Sequence, residues 1–217
     1  MIRPIRFDPD RVARLETESW RAYYDRRWLS MARVLVAAHR EQFGLSAIDA
    51  LLATISASRA AIAFAPLEGS DVDAARRHLV VYYRRVRAAL GTTADAATLA
   101  ERELDYWVVH RRLAIARKAN PPAANSLSTV DTLEAIEPMT TAFAQLHAAL
   151  FDSTPEMMQP SAEQRAMAAV AVDRISGGYS NDVAADWAQI ESHLQQTYGA
   201  IAAILNATPS PHLEVVT

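Results

Sequence analysis

Apolar residues recur every three or four positions along most of this chain, which places them on one side of an α-helix. No stretch alternates apolar and polar residues as a half-exposed strand would, and β-branched residues are rarely clustered. Hydrophobic residues make up 51% of the chain, with Ala prominent among them, and only 6 of the 217 residues are Gly. We therefore predict an all-α protein.

Capping residues and helix breakers divide the pattern into about six or seven helices, predicted to form a bundle with antiparallel neighbours. Asp8 caps a first helix that begins at Pro9 and runs unbroken to Phe43, before Gly44. Later helices are predicted over residues 46–64, 71–90, 95–118, 130–151, 162–175 and 182–205. Pro138 either kinks the fifth helix or marks its true start. Residues 1–206 would form a single helical domain, followed by a flexible tail over 207–217.

One spacing occurs twice, as ETESWRAYY near the start and as ELDYWVVH in the middle of the chain. In both, a Glu precedes a Trp by four positions, and a Tyr or His follows three positions after the Trp. The residues are Glu16, Trp20, Tyr23 and Glu103, Trp107, His110. The repeat suggests two halves related by a pseudo-twofold axis, one opening with the first helix and one with the fourth.

Both glutamates are predicted to face the core. At 100° per residue, Glu16 shares a stripe with Val12, Trp20, Tyr23 and Arg27. Glu103 shares a stripe with Leu99, Tyr106, Trp107, His110 and Leu113. A buried carboxylate is costly unless it is paired, hydrogen-bonded or bound to a metal. We therefore expect the two side chains to approach each other near the middle of the bundle.

Three interpretations of this polar cavity stay open. The carboxylates could belong to a structural network with Arg27, Trp indole N–H groups or Tyr hydroxyls. Alternatively, Glu16, Glu103 and His110 could bind a divalent metal such as iron, manganese or zinc. The third alternative is an acid–base pair in a small-molecule cavity, where burial raises the pKa of a Glu. If the cavity binds a metal or a small molecule, the residues predicted to contact a cofactor or ligand are Trp20, Tyr23, Arg27, Tyr106 and Trp107.

The metal reading does not match the ferritin-like carboxylate pattern. Those bundles use Glu-x2-His pairs, and no such pair occurs in this chain. Here Glu103 and His110 are seven positions apart, nearly two helical turns. The sequence leaves two functions open. The protein could be an enzyme, such as a metal-dependent oxidoreductase or hydrolase, or a non-catalytic scaffold or oligomerisation module.

Three further polar residues stand beside apolar neighbours. Asp173 aligns with Ala166, Ala169 and Val170, which predicts burial, in an ion pair with Arg174 or together with Arg27. His147 lies at the edge of an apolar stripe and is predicted to be a core histidine with a hydrogen-bond partner. His39 lies opposite the Glu16 face of the long first helix and is predicted to be solvated.

Composition narrows the cellular setting and the partners. The chain has no Cys, which excludes disulfides and thiolate chemistry. The 22 basic and 25 acidic residues give a formal charge of −3, which argues against nucleic-acid binding, as does the absence of a short-helix DNA-reading motif. No membrane-spanning helix or secretory signal is expected, so we predict a soluble cytoplasmic protein. A small-molecule ligand and a homo-oligomer, such as a homodimer, are the partners that we expect.

Overall fold

Helices account for nearly all of the residues that the structure describes. The computed structural model describes residues 7–119 and 133–207, and no strand occurs in those residues. The all-α prediction is confirmed, but the described part of the chain contains eight helices rather than six or seven. They are α1 (Pro9–Tyr24), α2 (Trp28–Phe43), α3 (Ala47–Phe64), α4 (Val72–Leu90), α5 (Ala96–Ala119), α6 (Leu133–Leu150), α7 (Pro155–Gly177) and α8 (Val183–Ala207).

The predicted unbroken first helix is wrong, because the chain breaks between α1 and α2. Asp25 ends α1, and Arg26 adopts a left-handed conformation with φ of 56°. The backbone N–H groups of Asp25, Arg26 and Arg27 bond back to carbonyls of α1. No Gly or Pro stands at the break, so the sequence gives no clear signal for it. The break also changes the helical register, which takes Arg27 off the Glu16 stripe.

Most other helix ends follow the expected capping chemistry. The side chains of Asp8, Ser46 and Asp71 accept hydrogen bonds from first-turn N–H groups. Gly44 and Gly91 end α2 and α4 with φ of 67° and 74°, a conformation that favours Gly.

Two predicted boundaries around α6 and α7 need correction. Helix α7 begins seven residues before the predicted start, because Thr154 caps it and Pro155 occupies its first position. Pro138 lies inside α6, which already begins at Leu133. The predicted break between these helices therefore shrinks to a short turn. The predicted tail, apart from residue 207, and the segment 120–128, where NPPAANSLS predicts a loop, lie outside the described residues.

The helices pack in chain order and close a circle. Each helix packs against the helix that follows it, α8 returns to pack against α1, and α5 also contacts α7. All eight helices contribute to one main core cluster, and a smaller apolar cluster lies between α5, α6 and α7. Side chains from α1, α4, α5, α7 and α8 can therefore meet inside the circle.

Two connections at one end of the bundle are tied together. Asp152, between α6 and α7, accepts hydrogen bonds from the hydroxyls of Thr92 and Thr93, between α4 and α5. The backbone N–H of Thr93 donates to the same carboxylate at 2.9 Å. This contact links segments about 60 residues apart and fixes the ends of four helices.

Helix α3 differs from the other helices in its hydropathy. Of the described helices, it alone is long and apolar enough to cross a membrane by length and composition. A core helix of a soluble protein meets the same two criteria, and 33% of α3 is buried within the bundle.

The left-handed residue at the break leads to a stability prediction. Arg26→Gly is expected to stabilise the protein by about 0.5–1 kcal/mol, because a left-handed conformation costs a residue with a Cβ atom more than Gly loses in backbone freedom. The matched control is Arg27→Gly, at φ of −87°, which should give no gain. Urea unfolding measures both changes, and equal effects of the two substitutions would contradict the assignment of strain to Arg26.

Candidate functional site

An ion pair between α1 and α7 lies at the centre of the molecule. Arg165 Nη1 donates to Glu16 Oε2 at 2.6 Å, and Nη2 donates to the other carboxylate oxygen. The Tyr198 hydroxyl, on α8, also donates to Glu16 Oε2. The side chains of Arg165 and Glu16 are only 14% and 15% exposed. Both oxygens of Glu16 are therefore used within the protein.

Arg165 is also enclosed by aromatic side chains. Its guanidinium carbon lies 5.2 Å from the centre of the Trp20 ring and 5.6 Å from that of Phe143, within the range of cation–π attraction. Burial alone lowers the pKa of Arg165, but the facing Glu16 carboxylate outweighs burial and raises it well above the ordinary value. The arginine therefore stays charged in this position.

Glu103 has a different set of partners, all neutral. The Tyr83 hydroxyl, on α4, donates to Oε2 at 2.9 Å, and the Trp107 indole N–H donates to Oε1 at 2.8 Å. Among the described residues, no Arg, Lys or His forms an ion pair with it. Burial raises the pKa of Glu103, although the two hydrogen bonds and the charge of Arg165 oppose this. We refer to Glu16, Arg165, Tyr198, Glu103, Tyr83 and Trp107 together as the polar centre.

The two glutamates influence each other electrostatically. The charge of Glu16 adds to the rise in the pKa of Glu103, and both charges act on Tyr82 and Tyr106. Burial is the first cause of the raised pKa values of those two tyrosines. The positive charge near the two carboxylates comes from Arg165.

His110 belongs to a second polar group, next along α5. Its Nε2 lies 3.0 Å from Asp173 Oδ1, and Arg117 Nη1 donates to Asp173 Oδ2 at 2.7 Å. Tyr106 stacks on the His110 ring with 5.8 Å between ring centres. Asp173 is buried, as predicted, but its partners are on α5. Its predicted partner Arg174 pairs instead with Asp186.

The residues predicted to contact a ligand are divided between the centre and the surface. Trp20, Tyr106 and Trp107 are half-buried around the polar centre. Tyr23 is 47% exposed, and Arg27 pairs with Asp25 in solvent. Arg27 lies beyond the end of α1, outside the inward stripe that a continuous helix would have given it. Tyr23 is still within the last turn of α1, where its ring packs against Tyr24 and Trp28 at the surface.

Two histidines are buried in neutral surroundings. His147 Nδ1 lies 2.9 Å from the Ser161 hydroxyl, which confirms the prediction of a core histidine with a partner. The prediction that His39 is solvated is wrong, because it is buried and its Nδ1 lies 3.0 Å from Thr54 Oγ1. The break before α2 turns this face inward. Burial lowers the pKa of His39 to about 4 and that of His147 to about 3.

The predicted metal ligands have protein partners in this structure. Glu16 is bound by Arg165 and Tyr198, Glu103 by Tyr83 and Trp107, and His110 by Asp173. Over residues 7–119 and 133–207, no group of three or more His, Asp or Glu side chains is placed to hold a metal ion. Metal binding stays a prediction, and a metal at Glu16 would have to break both bonds from Arg165.

An open groove elsewhere on the surface has a different character. It has a volume of about 550 Å³ and lies between the start of α3 and the end of α4, with Asp49, Arg84 and Arg85 among its lining residues. Neither arginine is buried. The polar centre is the better candidate because its charged groups are desolvated.

Sequence reasoning missed the residue that organises the centre. Arg165 lies on the same face of α7 as Met158, Ala162, Ala169 and Val172, all of which are buried. An arginine within an apolar stripe is a readable signal of a buried cation. Tyr198 is spaced with the buried Leu194 and Ile201 on α8, which predicts that it lies in the core. Its bond to Glu16 spans 182 residues, and no local pattern predicts that pairing.

No family model, curated protein or solved structure matches this chain. The functional argument therefore rests on the geometry of the polar centre.

Removing the central cation should be strongly destabilising. Arg165→Met leaves the Glu16 carboxylate buried without a counter-ion, and we expect a loss of about 3–5 kcal/mol. The double variant Glu16→Gln/Arg165→Met should lose clearly less than the sum of the single variants. Arg27→Met, at an exposed pair, is the control and should change stability by less than about 0.5 kcal/mol. Additive effects in the urea-unfolding cycle would contradict a coupled pair.

The buried histidines predict a loss of stability in acid. In the unfolded chain both histidines become protonated as pH falls below about 6.5. In the folded protein His39 becomes protonated only near pH 4 and His147 only near pH 3. The free energy of unfolding is therefore unaffected by these histidines well above pH 6.5. It falls as pH decreases, by about 2 kcal/mol per histidine at pH 5.

Glu103, whose pKa is raised, makes the folded protein more stable as pH falls, which opposes the effect of the histidines. The quantity to measure is therefore the difference in pH dependence between a histidine variant and the wild type. His147→Asn keeps a hydrogen-bonding group near Ser161 and should reduce the loss between pH 7.5 and pH 5 by about 2 kcal/mol. An unchanged slope in this variant would show that His147 does not titrate as a buried group.

Proposed function

We propose that the polar centre binds a small molecule and that Glu103 exchanges a proton with it. The observation that carries this proposal is the environment of Glu103, a carboxyl group with a raised pKa, two neutral hydrogen-bond donors and no ion-pair partner among the described residues. A carboxyl group in such surroundings can take up and release a proton closer to neutral pH than an ordinary Glu.

Glu16 is unsuited to this role. Both of its oxygens accept bonds from Arg165, which raises the energetic cost of moving it towards a ligand. Its role in the proposal is to hold the guanidinium in place. Arg165 then provides a fixed positive charge beside the site, where it can stabilise negative charge that develops on a bound molecule.

The aromatic residues around the centre indicate the kind of molecule that fits. Trp107 bonds to Glu103, Trp20 lies over the guanidinium of Arg165, and both, like Tyr106, keep part of their surface accessible. Aromatic side chains beside Glu103 suit a small molecule that has an apolar or aromatic body and one group able to give up a proton. The proposed chemistry is proton transfer at that group.

His110 extends the same site along α5. The buried Asp173, held by Arg117, fixes the orientation of the imidazole. With Nε2 engaged by Asp173, Nδ1 is the nitrogen through which His110 could contact a ligand. This arrangement supplies a second acid–base group about two helical turns from Glu103.

A metal-dependent oxidoreductase or hydrolase is a narrower form of this proposal. It would use Glu16, Glu103 and His110 with iron, manganese or zinc, and the carboxylate and imidazole donors suit those metals. The bonds from Arg165 to Glu16 weigh against it, since they already compensate that charge.

A non-catalytic scaffold is the second candidate. The observation in its favour is that the bonds of the polar centre join separate helices: α1 is held to the distant α7 and α8, and α4 is held to its neighbour α5. Such bonds would fix the arrangement of the bundle without any ligand.

The experiment compares two glutamates on one helix. Glu103→Gln removes the acid–base group, and Glu101→Gln makes the same chemical change at an exposed position two residues away. A panel of small aromatic and aliphatic amines, alcohols and acids is screened by thermal shift, and native mass spectrometry detects any molecule that co-purifies. The proposal expects a ligand that binds the wild type and Glu101→Gln but binds Glu103→Gln at least about tenfold more weakly.

Other outcomes separate the alternatives. Stoichiometric metal in protein purified without chelator, lost in both Glu103→Ala and His110→Ala, would support the metal reading. If no compound binds and Glu103→Gln changes only the unfolding free energy, the scaffold reading replaces the proposal. Carbon-13 NMR titration of the Glu103 carboxyl group gives an independent check, since an ordinary pKa there would remove the basis for acid–base chemistry.

A further inference from the structure

One face of α3 is apolar and exposed to solvent. Its residues are spaced as on one side of a helix and comprise Ile48, Leu51, Leu52, Ile55 and Ile62. Ile48 and Ile62, near the two ends, are 73% and 72% exposed. We call these five residues the α3 outer face. The opposite face of the helix, with Ala50, Ala53, Ala60 and Phe64, is buried in the core.

A stripe of this size is unusual for the surface of a monomer. Five Leu and Ile side chains, each more than one third exposed, lie along 15 residues of one helix face, which only Arg59 interrupts. A contiguous apolar patch of several hundred Å² is at the upper end of what monomers expose and commonly marks an interface. A helix face that is apolar at i, i+3, i+4 and i+7 is the kind that packs against another helix.

We propose that the α3 outer face packs antiparallel against the same face of a second copy of this chain, about a twofold axis at Ile55. The spacing of the face supports self-association, because Ile48 and Ile62 are each seven residues from Ile55. In an antiparallel pair centred there, Ile48 lies beside Ile62 of the partner subunit, and both ends of the stripe are covered by apolar side chains.

The charges on α3 fit the same arrangement. Arg59 is the charged residue within the stripe, and by helical spacing it lies towards the same flank as Asp49. Asp49 is six residues before Ile55 and Arg59 is four residues after it. In the antiparallel pair, Arg59 and Asp49 of the partner subunit therefore differ in height along the helix axis by only two residues, or about 3 Å. The twofold axis places the flank that carries these charges on the same side of both helices. Each Arg59 therefore faces an Asp49 of opposite charge, and both contacts are attractive.

A membrane is a less suitable occupant of this face. Arg59 lies within the apolar stripe, and Asp49 lies near the start of the helix. A helix that binds in the plane of a membrane commonly carries Lys and Arg on its polar face. The inner face of α3 is instead lined by small apolar residues that pack on the bundle. A second protein chain can satisfy Arg59, as described above.

The absence of Cys from the sequence allows a direct test. Two helices packed at 8–10 Å bring facing positions on a twofold axis within reach of a disulfide. Ile55→Cys should therefore form a covalent dimer under mild oxidation. Ile115→Cys, at a position on α5 that is 51% exposed, is the matched control and should remain largely uncrosslinked.

A second pair of variants tests the same surface without crosslinking. Leu51→Asp should raise the dimer dissociation constant by at least about tenfold in analytical ultracentrifugation, whereas Ile115→Asp, at equal exposure, should not. Arg59→Glu should weaken the dimer, and Arg59→Glu/Asp49→Lys should restore much of the loss. Circular dichroism confirms that each variant keeps its helices.

Three outcomes would overturn the proposal. These are a monomeric wild type at tens of micromolar, a dimer that is indifferent to Leu51→Asp and to the charge exchange, or a monomer that binds phosphatidylcholine or phosphatidylserine vesicles through this face. The proposal is independent of ligand binding at Glu103, because α3 contributes no residue to the polar centre.

Discussion

The ion pair between Glu16 and Arg165 is the constraint on which the interior of this protein depends. A guanidinium and a carboxylate that are both largely removed from water must remain together, since either one alone would be costly. This requirement fixes which faces of α1 and α7 turn inward, and the Tyr198 hydroxyl adds α8 to the same contact. The aromatic side chains around Arg165 and the second glutamate are then arranged about a fixed charge.

The two glutamates illustrate how environment separates residues with the same sequence surroundings. Glu16 and Glu103 each precede a Trp by four positions, yet the Trp107 indole bonds to Glu103, whereas Trp20 packs on the guanidinium that binds Glu16. One carboxylate is held by a full charge and serves the fold. The other is held by neutral donors and keeps chemical freedom, which is why we assign the proton-transfer role to Glu103 rather than to the pair.

Local patterns predicted much of the fold and only part of the site. Helix class, most caps and the burial of Asp173 and His147 follow from short-range spacing, which the sequence displays directly. The break at Arg26 does not, because no Gly or Pro marks it, and the errors at Arg27 and His39 come from extending one helix through it. Arg165 was visible as a charge on an apolar stripe, but its partner is 149 residues away. Such pairings are decided by tertiary packing, which one-dimensional spacing does not encode.

The closed circle of helices has a consequence for how the chain reaches its native state. The first helix carries a carboxylate whose partners belong to the seventh and eighth helices, so the growing chain cannot form these bonds until those two helices have been synthesised. Contacts between such distant segments slow folding, because the intervening chain must be ordered first. Until then Glu16 can stay hydrated, and the docking of α1 in its final position must follow the formation of α7 and α8.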